Sequence, residues 1–411
     1  MISLFTPSHN SKYLDAALES LVNQTYSDWE WVVLLNNGAT WTCDDARVKL
    51  YESDSSALIG LLKNEAAALC TGEYLVEFDH DDLLSPNALE EIVKAFEENE
   101  NVGFVYSDFA QINEDGTPNL VEFDTTHGWE FYDDEHGYHV CKSLSHHPAN
   151  LAYVWYAPNH VRAFRKSVYD DIGGYDVTME VLDDQDIICR MYLASDFYHI
   201  PKNLYLQRVH TENSQAKADL NAKIQQETHN VYAKYIELMI LKWATENDLE
   251  CLDLGGAHNP APGYVTVDIE APADYIGDVF EILSSFDDGS VGVIRAVDFL
   301  EHIENKIELF NEMYRVLAEG GMILSFTPST DGRGAFQDPT HVAFYNENSF
   351  WYFTSESHRK YVPAIKAKFQ RSRLMTYFPN EWHRQVNISY VSANLIALKD
   401  PNNRYGGQLD F

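Results

Sequence analysis

Short apolar runs alternate with amphipathic stretches along the whole chain. Residues 2–6 open as a strand, and Leu14, Leu18 and Leu21 recur at helical spacing, which predicts a helix from Tyr13 to Gln24. Trp29 to Leu35 is a second apolar run ending in the turn residues Asn36-Asn37-Gly38. A helix over Leu58–Cys70, a strand carrying Tyr74, Leu75, Val76 and Phe78, and a helix over Pro86–Glu98 follow. Repeated strand–helix alternation predicts an α/β fold with a parallel, doubly wound sheet. From Ala216 to Thr245, the stripe Leu220, Ile224, Val231, Tyr235, Leu238 and Leu241 predicts one long connecting helix. A second α/β series begins with Glu250–Leu254 and continues through Tyr264–Ile269 and Val291–Val297. The expected domains are therefore residues 1–215 and 249–411, joined by a helix within 216–248.

At 411 residues the chain has room for two or three cores, and its 45% hydrophobic content marks it as globular. A formal charge of -35 argues against nucleic acid and anionic membranes as partners. Of the 64 acidic side chains, 37 fall within residues 1–215, so an anionic substrate bound there needs a bridging cation. Cys43, Cys70, Cys141, Cys189 and Cys251 are odd in number and scattered, which fits a reducing compartment rather than a disulfide framework. No apolar stretch approaches membrane-spanning length and no basic leader opens the chain, which together predict a cytoplasmic protein without a membrane span.

Chemistry concentrates where apolar runs end in polar side chains. The strand at 74–78 stops at Asp79, Asp81 and Asp82, and ligands gather at the carboxyl ends of parallel strands. Two aspartates one residue apart can hold a hard divalent cation, with phosphate oxygens completing its shell. The alternative is that Asp82 caps the following helix. Asp183 and Asp184 could cap the helix that runs on to Ala194. Residues 127–160 are rich in histidine and aromatics. They suit either a zinc site or, with His147, Trp155 and His160 foremost, the stacking and hydrogen bonding of a sugar acceptor.

The order TPSHN, NNG, KNEAAALCTGEYLVEFDHDD and SPNALEEI resembles the family 2 glycosyltransferases, which have the GT-A nucleotide-sugar-binding fold. The resemblance implies nucleotide-sugar contacts by Pro7, Ser8, Asn37 and Asn64, with Asp79 near the ribose and Asp81 on the metal. This chain departs from the family in having Asn36 and Asn37 where an aspartate is usual. Further on, Gly173-Gly174-Tyr175-Asp176 and Leu182-Asp183-Asp184-Gln185-Asp186-Ile187 resemble the family's later motifs and make Asp184 the expected base of an inverting transfer. Arg208-Val209-His210 resembles the element that completes the metal shell, so Asp79, Asp81 and His210 become the implied ligands of Mn2+ or Mg2+. An imidazole among them favours manganese.

In the second half, the strand leading to Gly255-Gly256-Ala257-His258, then Asp268, Gly277-Asp278, DFLEHI and EMYRVLAEGGMILSFTPS, is similar to the class I S-adenosylmethionine-dependent methyltransferases. Carried over, Gly255, Asp268 and Asp278 would bind S-adenosylmethionine. His341 is the expected catalytic base, with His302 as a second choice. GGAH replaces the family's usual glycine-rich turn. A dinucleotide-binding dehydrogenase is the rival, but G-x-G-x-x-G is absent. The expectation is a bifunctional enzyme that moves a sugar from a nucleotide-sugar donor to a glycan acceptor and methylates a sugar hydroxyl. The alternative is a glycosyltransferase whose second half is a non-catalytic scaffold.

Overall fold

A computed structural model of the chain describes residues 1–53, 58–120, 128–154, 157–210 and 218–406. Backbone contacts divide it into two compact units, one made mainly of Met1–Tyr235 and the other mainly of Ile236–Phe411.

In the first unit the strands are β1 (Ile2–Ser8), β2 (Trp29–Leu35), β3 (Val48–Glu52), β4 (Tyr74–Glu77), β5 (Leu83–Leu84), β6 (Val102–Ile112), β7 (Phe131–Asp133), β8 (His139–Cys141), β9 (Arg162–Arg165) and β10 (Asp196–Arg208). The helices are α1 (Leu14–Val22), α2 (Ile59–Ala68), α3 (Ala88–Glu98), α4 (Pro148–Tyr153), α5 (Lys166–Asp171) and α6 (Asp183–Ala194). The main sheet runs β3-β2-β1-β4-β9-β6-β10-β5. β1, β2, β3 and β4 are parallel, so β1 and β2 lie inside with both faces covered, which is why apolar residues dominate their sequences. The expected all-parallel sheet is in fact mixed, because β9 inserts antiparallel between β4 and β6 and β5 pairs antiparallel with β10. No apolar run announces β9, whose sequence is Arg-Ala-Phe-Arg.

Residues 218–246 form one helix, α7 (Ala218–Glu246). The boundary between the units falls within it rather than at a loop. The second unit holds β11 (Glu250–Leu254), β12 (Val265–Asp268), β13 (Tyr275–Ile276), β14 (Val291–Val297), β15 (Leu317–Pro328), β16 (Phe369–Tyr377) and β17 (Tyr390–Ala397), with α8 (Val279–Ser284) and α9 (Lys306–Val316) among its helices. Its sheet order is β13-β12-β11-β14-β15-β17-β16, with β17 antiparallel to both neighbours. Leu252, Ile294, Ile323 and Leu395 from four adjacent strands pack into its core with Phe310 and Met313 of α9. No helix among the described residues is long and apolar enough to cross a membrane.

Candidate functional site

In the first unit the carboxyl ends of β1 and β4 open onto a cavity of about 360 Å³, lined by Pro7, Asp79, Asp81, His160, Asp184 and His210 together with charged residues from α2 and β9. Residues far apart in sequence reach it because the parallel strands all end on the same side.

Asp79, Asp81 and Asp82 occupy the loop between β4 and β5. β5 pairs with Tyr205 and Leu206, so the end of β10 lies alongside this loop. Arg208 fixes it from two directions. Its main-chain N–H donates to Asp82 Oδ1 at 2.6 Å, and its Nε–H donates to the Asp81 carbonyl at 2.7 Å. Asp82 is thus buried in a loop contact and does not cap α3, whose N-cap is Asn87. Two residues on, His210 Nε2 lies 2.7 Å from Asp81 Oδ2, and its ring stacks on Tyr13 with centroids 5.7 Å apart.

Asp79 and Asp82 group instead with His160, one ligand atom of each lying within 4.8 Å of the others. Burial first, then Glu77 and Asp81, push the Asp79 carboxyl up to about 7, although its side chain keeps 44% exposure and water moderates the effect. His160 stacks on Tyr205 at 4.3 Å, and burial together with Arg162 holds its imidazole well below the usual histidine range. Its buried Nδ1 has no hydrogen-bond partner among the described residues.

Beneath the aspartates lies a buried ionic network that sequence reasoning missed. Lys63 Nζ is 2.8 Å from Glu77 Oε1 and 3.0 Å from Asp183 Oδ2. Arg162 Nη1 is 3.4 Å from Glu77 Oε2, and Tyr175 donates its hydroxyl to the same oxygen at 2.6 Å. Burial alone would strip the charge from Lys63, but Asp183 and Glu77 outweigh it and hold the ammonium above its ordinary value. Glu77 is likewise held below the carboxylate range, burial being outweighed by Lys63 and Arg162. A glutamate at the end of an apolar strand was the signal available, since a carboxylate there is buried only with cations beside it.

Asp183 and Asp184 open α6, but neither is its cap. That position is taken by Leu182 in a left-handed conformation, φ 63°, a strained backbone costing about 1–3 kcal/mol in a non-glycine residue. The turn sends Asp183 inward to Lys63 and leaves Asp184 half-buried at the cavity, its Oδ2 3.0 Å from Arg162 Nη2.

Other expected contacts lie elsewhere. Ser8 is fully buried and donates its hydroxyl to the Asn10 carbonyl at 2.8 Å. Asn37 is exposed in a left-handed turn, φ 51°. Asn64 is engaged with its own fold, accepting from Tyr169 Oη at 2.7 Å and Tyr175 N at 2.8 Å and donating to the Tyr175 carbonyl at 2.9 Å. His147 is buried and groups with the second unit, its ring 5.1 Å from Trp243 and 4.6 Å from Tyr405. Trp155 lies outside the described residues.

In the second unit Gly255 follows β11 with φ 80°, where the chain turns in a conformation open to glycine. Asp268 ends β12 and accepts the N–H groups of Ala257 and Glu270, each at 3.1 Å. A carboxylate offers about four acceptor positions, so these two bonds leave others open. Asp278 caps α8, accepting from Phe280 N at 2.9 Å. His302 and His341 meet edge to face with ring centroids 5.0 Å apart, beside Glu301.

Residues 3–172 match the family model described as glycosyl transferase family 2, and residues 258–325 match one described as a methyltransferase domain. Chondroitin synthase of Escherichia coli is 27% identical over 241 residues, covering 56% of this chain and 31% of that protein. Hyaluronan synthase of Pasteurella multocida is 25% identical over 226 residues, covering 53% and 21%. The chain therefore spans less than a third of the length of these relatives. Among solved structures, S. aureus TarS 1-349 in complex with UDP is matched at 16% identity and a TM-score of 0.40, over 57% of this chain and 70% of that one.

Proposed function

We propose that the family 2 glycosyltransferase domain this chain carries transfers a sugar from a nucleotide-sugar donor to a glycan acceptor with inversion, and that its methyltransferase domain O-methylates a sugar hydroxyl. Likeness to chondroitin and hyaluronan synthases supports a place in polysaccharide assembly.

The carrying observation is the charge of the cavity. Glu77, Asp79, Asp81, Asp82, Asp183 and Asp184 line it against Lys63 and Arg162, both already committed to carboxylates. A diphosphate entering there would meet net repulsion unless a cation came with it. Carboxylate oxygens with an imidazole nitrogen form a donor set suited to Mn2+ or Mg2+, so Asp81 and His210, in contact at 2.7 Å, would hold the ion together with Asp79, which also lies within reach of Asp82 and His160. When bound, it neutralises the departing diphosphate.

The chain's own residues supply the rest. Arg162 holds Asp184 at the cavity wall, where its carboxylate would take the proton of the acceptor hydroxyl. Pro7, Asp79 and His160 line this one cavity, and we assign the first two to the donor and His160 to the acceptor. Gly255, Asp268 and Asp278 would hold S-adenosylmethionine, which supplies the methyl group. The base for that step stands with His341, whose Nδ1–H donates to the Ala335 carbonyl at 3.0 Å and leaves the Nε2 lone pair free. Joining the two domains raises the effective concentration of the first product at the second.

The test is a melting-temperature screen of nucleotide sugars with manganese, followed by transfer assays on the donor that shifts most. Asp184→Asn should abolish transfer and keep donor binding, while Asp81→Ala should lose both. Full turnover by Asp184→Asn would remove Asp184 as the base. Calorimetry with S-adenosylmethionine tests the second activity, and no binding at millimolar ligand would end it.

A further inference from the structure

The second unit holds a cluster that the methyl-transfer reading uses only in part. We propose that Glu301, His302 and His341 form a binding site for a first-row divalent transition-metal ion, separate from the acidic site of the first unit.

One ligand atom from each of the three residues lies within 4.8 Å of the other two. Two imidazoles and one carboxylate are the donor set that zinc and iron sites of the open kind share. Three further observations point the donors at a ligand. Glu301 is 2% exposed; its Oε2 accepts the Thr327 hydroxyl, while its buried Oε1 has no hydrogen-bond partner among the described residues and sits 4.0 Å from His341 Nε2. An ionised carboxylate left this way is costly unless a cation faces it.

Both histidines are also fixed in the tautomer a metal needs. His341 spends its Nδ1–H on the Ala335 carbonyl, so Nε2 carries the lone pair. The Thr340 hydroxyl donates to Asp338 Oδ1 at 2.6 Å, so its oxygen accepts from His302 Nδ1 at 3.2 Å, and His302 Nε2 carries the lone pair as well. Hydrogen bonds from the far nitrogen are how metal-binding histidines are oriented. Finally, the spacing is set by backbone: the N–H groups of Val342 and Ala343 both donate to the Glu301 carbonyl at 2.9 Å. That clamps the loop carrying His341 onto the turn carrying Glu301 and His302.

Because His302 is exposed, the ion would keep positions open to solvent, where a hydroxyl-bearing acceptor would bind and become more acidic; with the ion bound, His341 Nε2 is a ligand, and this acidification takes the place of its part as base. That use rests on the methyl-transfer reading; ion binding does not.

The experiment uses the full chain with Asp79→Ala and Asp81→Ala, which silence the first unit's acidic site. It is dialysed against micromolar Zn2+ and, separately, titrated with Co2+. About one ion per chain is expected, with visible Co2+ absorption of a low-symmetry nitrogen–oxygen site. Adding His302→Ala or His341→Ala should remove the bound ion and that absorption. His302 is exposed, so its variant should keep the parent's circular dichroism even if the buried Glu301→Gln misfolds. No retained metal, or retention unchanged in both histidine variants, overturns the proposal. Calorimetry with S-adenosylmethionine on the same samples separates this outcome from failure of the methyltransferase reading.

Discussion

Arg162 Nη2 stands 3.0 Å from Asp184 Oδ2 while Nη1 of the same guanidinium faces Glu77 Oε2 at 3.4 Å. One planar fork thus connects the buried end of β4 to the carboxylate proposed as base. Lysine cannot reproduce that fork, since it offers a point charge on a flexible stem. Arg162→Lys should therefore lower kcat by about 100-fold through misplacement of Asp184, with little change in KM for the donor. Steady-state kinetics of nucleotide release decide it, and an unchanged kcat would leave Arg162 with a purely structural part.

Lys63 carries the other half of the network, buried between Glu77 and Asp183. Removing a single partner of a buried ion pair strands the opposite charge. Lys63→Met should destabilise the first unit by about 3–5 kcal/mol, and Lys63→Met combined with Glu77→Leu should cost less than the sum of the two single changes. Urea unfolding of the four proteins in the cycle gives the coupling directly; strict additivity would mean the pair is not coupled.

Asp186 gives the sign of one pH effect. Burial alone would raise its carboxyl, but hydrogen bonds from Tyr235, Lys234 and Arg190 outweigh burial and hold it below the ordinary carboxylate range. A group depressed in the folded state stabilises above its unfolded value, about 3.9, and that contribution disappears as pH falls through the folded value. The stability gap between the native chain and Asp186→Asn should therefore be widest near neutrality and shrink on acidification below about pH 4. A gap that stays constant from pH 7 to pH 3 would contradict this assignment.

What the sequence made legible was whatever one segment decides alone. Trp29–Leu35 and Val291–Val297 occur as strands with the expected bounds, because an apolar run buried on both faces has no other comfortable place. The residues lining the cavity that local motifs mark, Asp79, Asp81, Asp184 and His210, sit just past the ends of β4 and β10 or in the first turn of α6. Lys63, Glu77 and Arg162 escaped because each has a partner as far away as 85 to 120 positions, Arg162 with Glu77 and Lys63 with Asp183. β9 escaped for the same reason: Arg162 belongs in a central strand only once Glu77 stands directly across from it. Asn64, expected at the donor, makes three bonds within its own fold that no local motif marks.

That last residue yields a prediction that separates fold from binding. Asn64 receives Tyr169 Oη and Tyr175 N and donates to the Tyr175 carbonyl, so it holds the Gly173–Gly174 turn that precedes α6. Gly174 has φ 67°, and a Cβ there would come 2.4 Å from Asn64 Oδ1, so amide and turn are matched in shape. Asn64→Ala would strand the Tyr175 N–H and carbonyl, at about 1–3 kcal/mol for each group left without a partner. Stability measured by urea unfolding should fall accordingly, while donor affinity of the still-folded fraction should match the native chain. A large loss of nucleotide-sugar affinity without loss of stability would instead return Asn64 to the donor site.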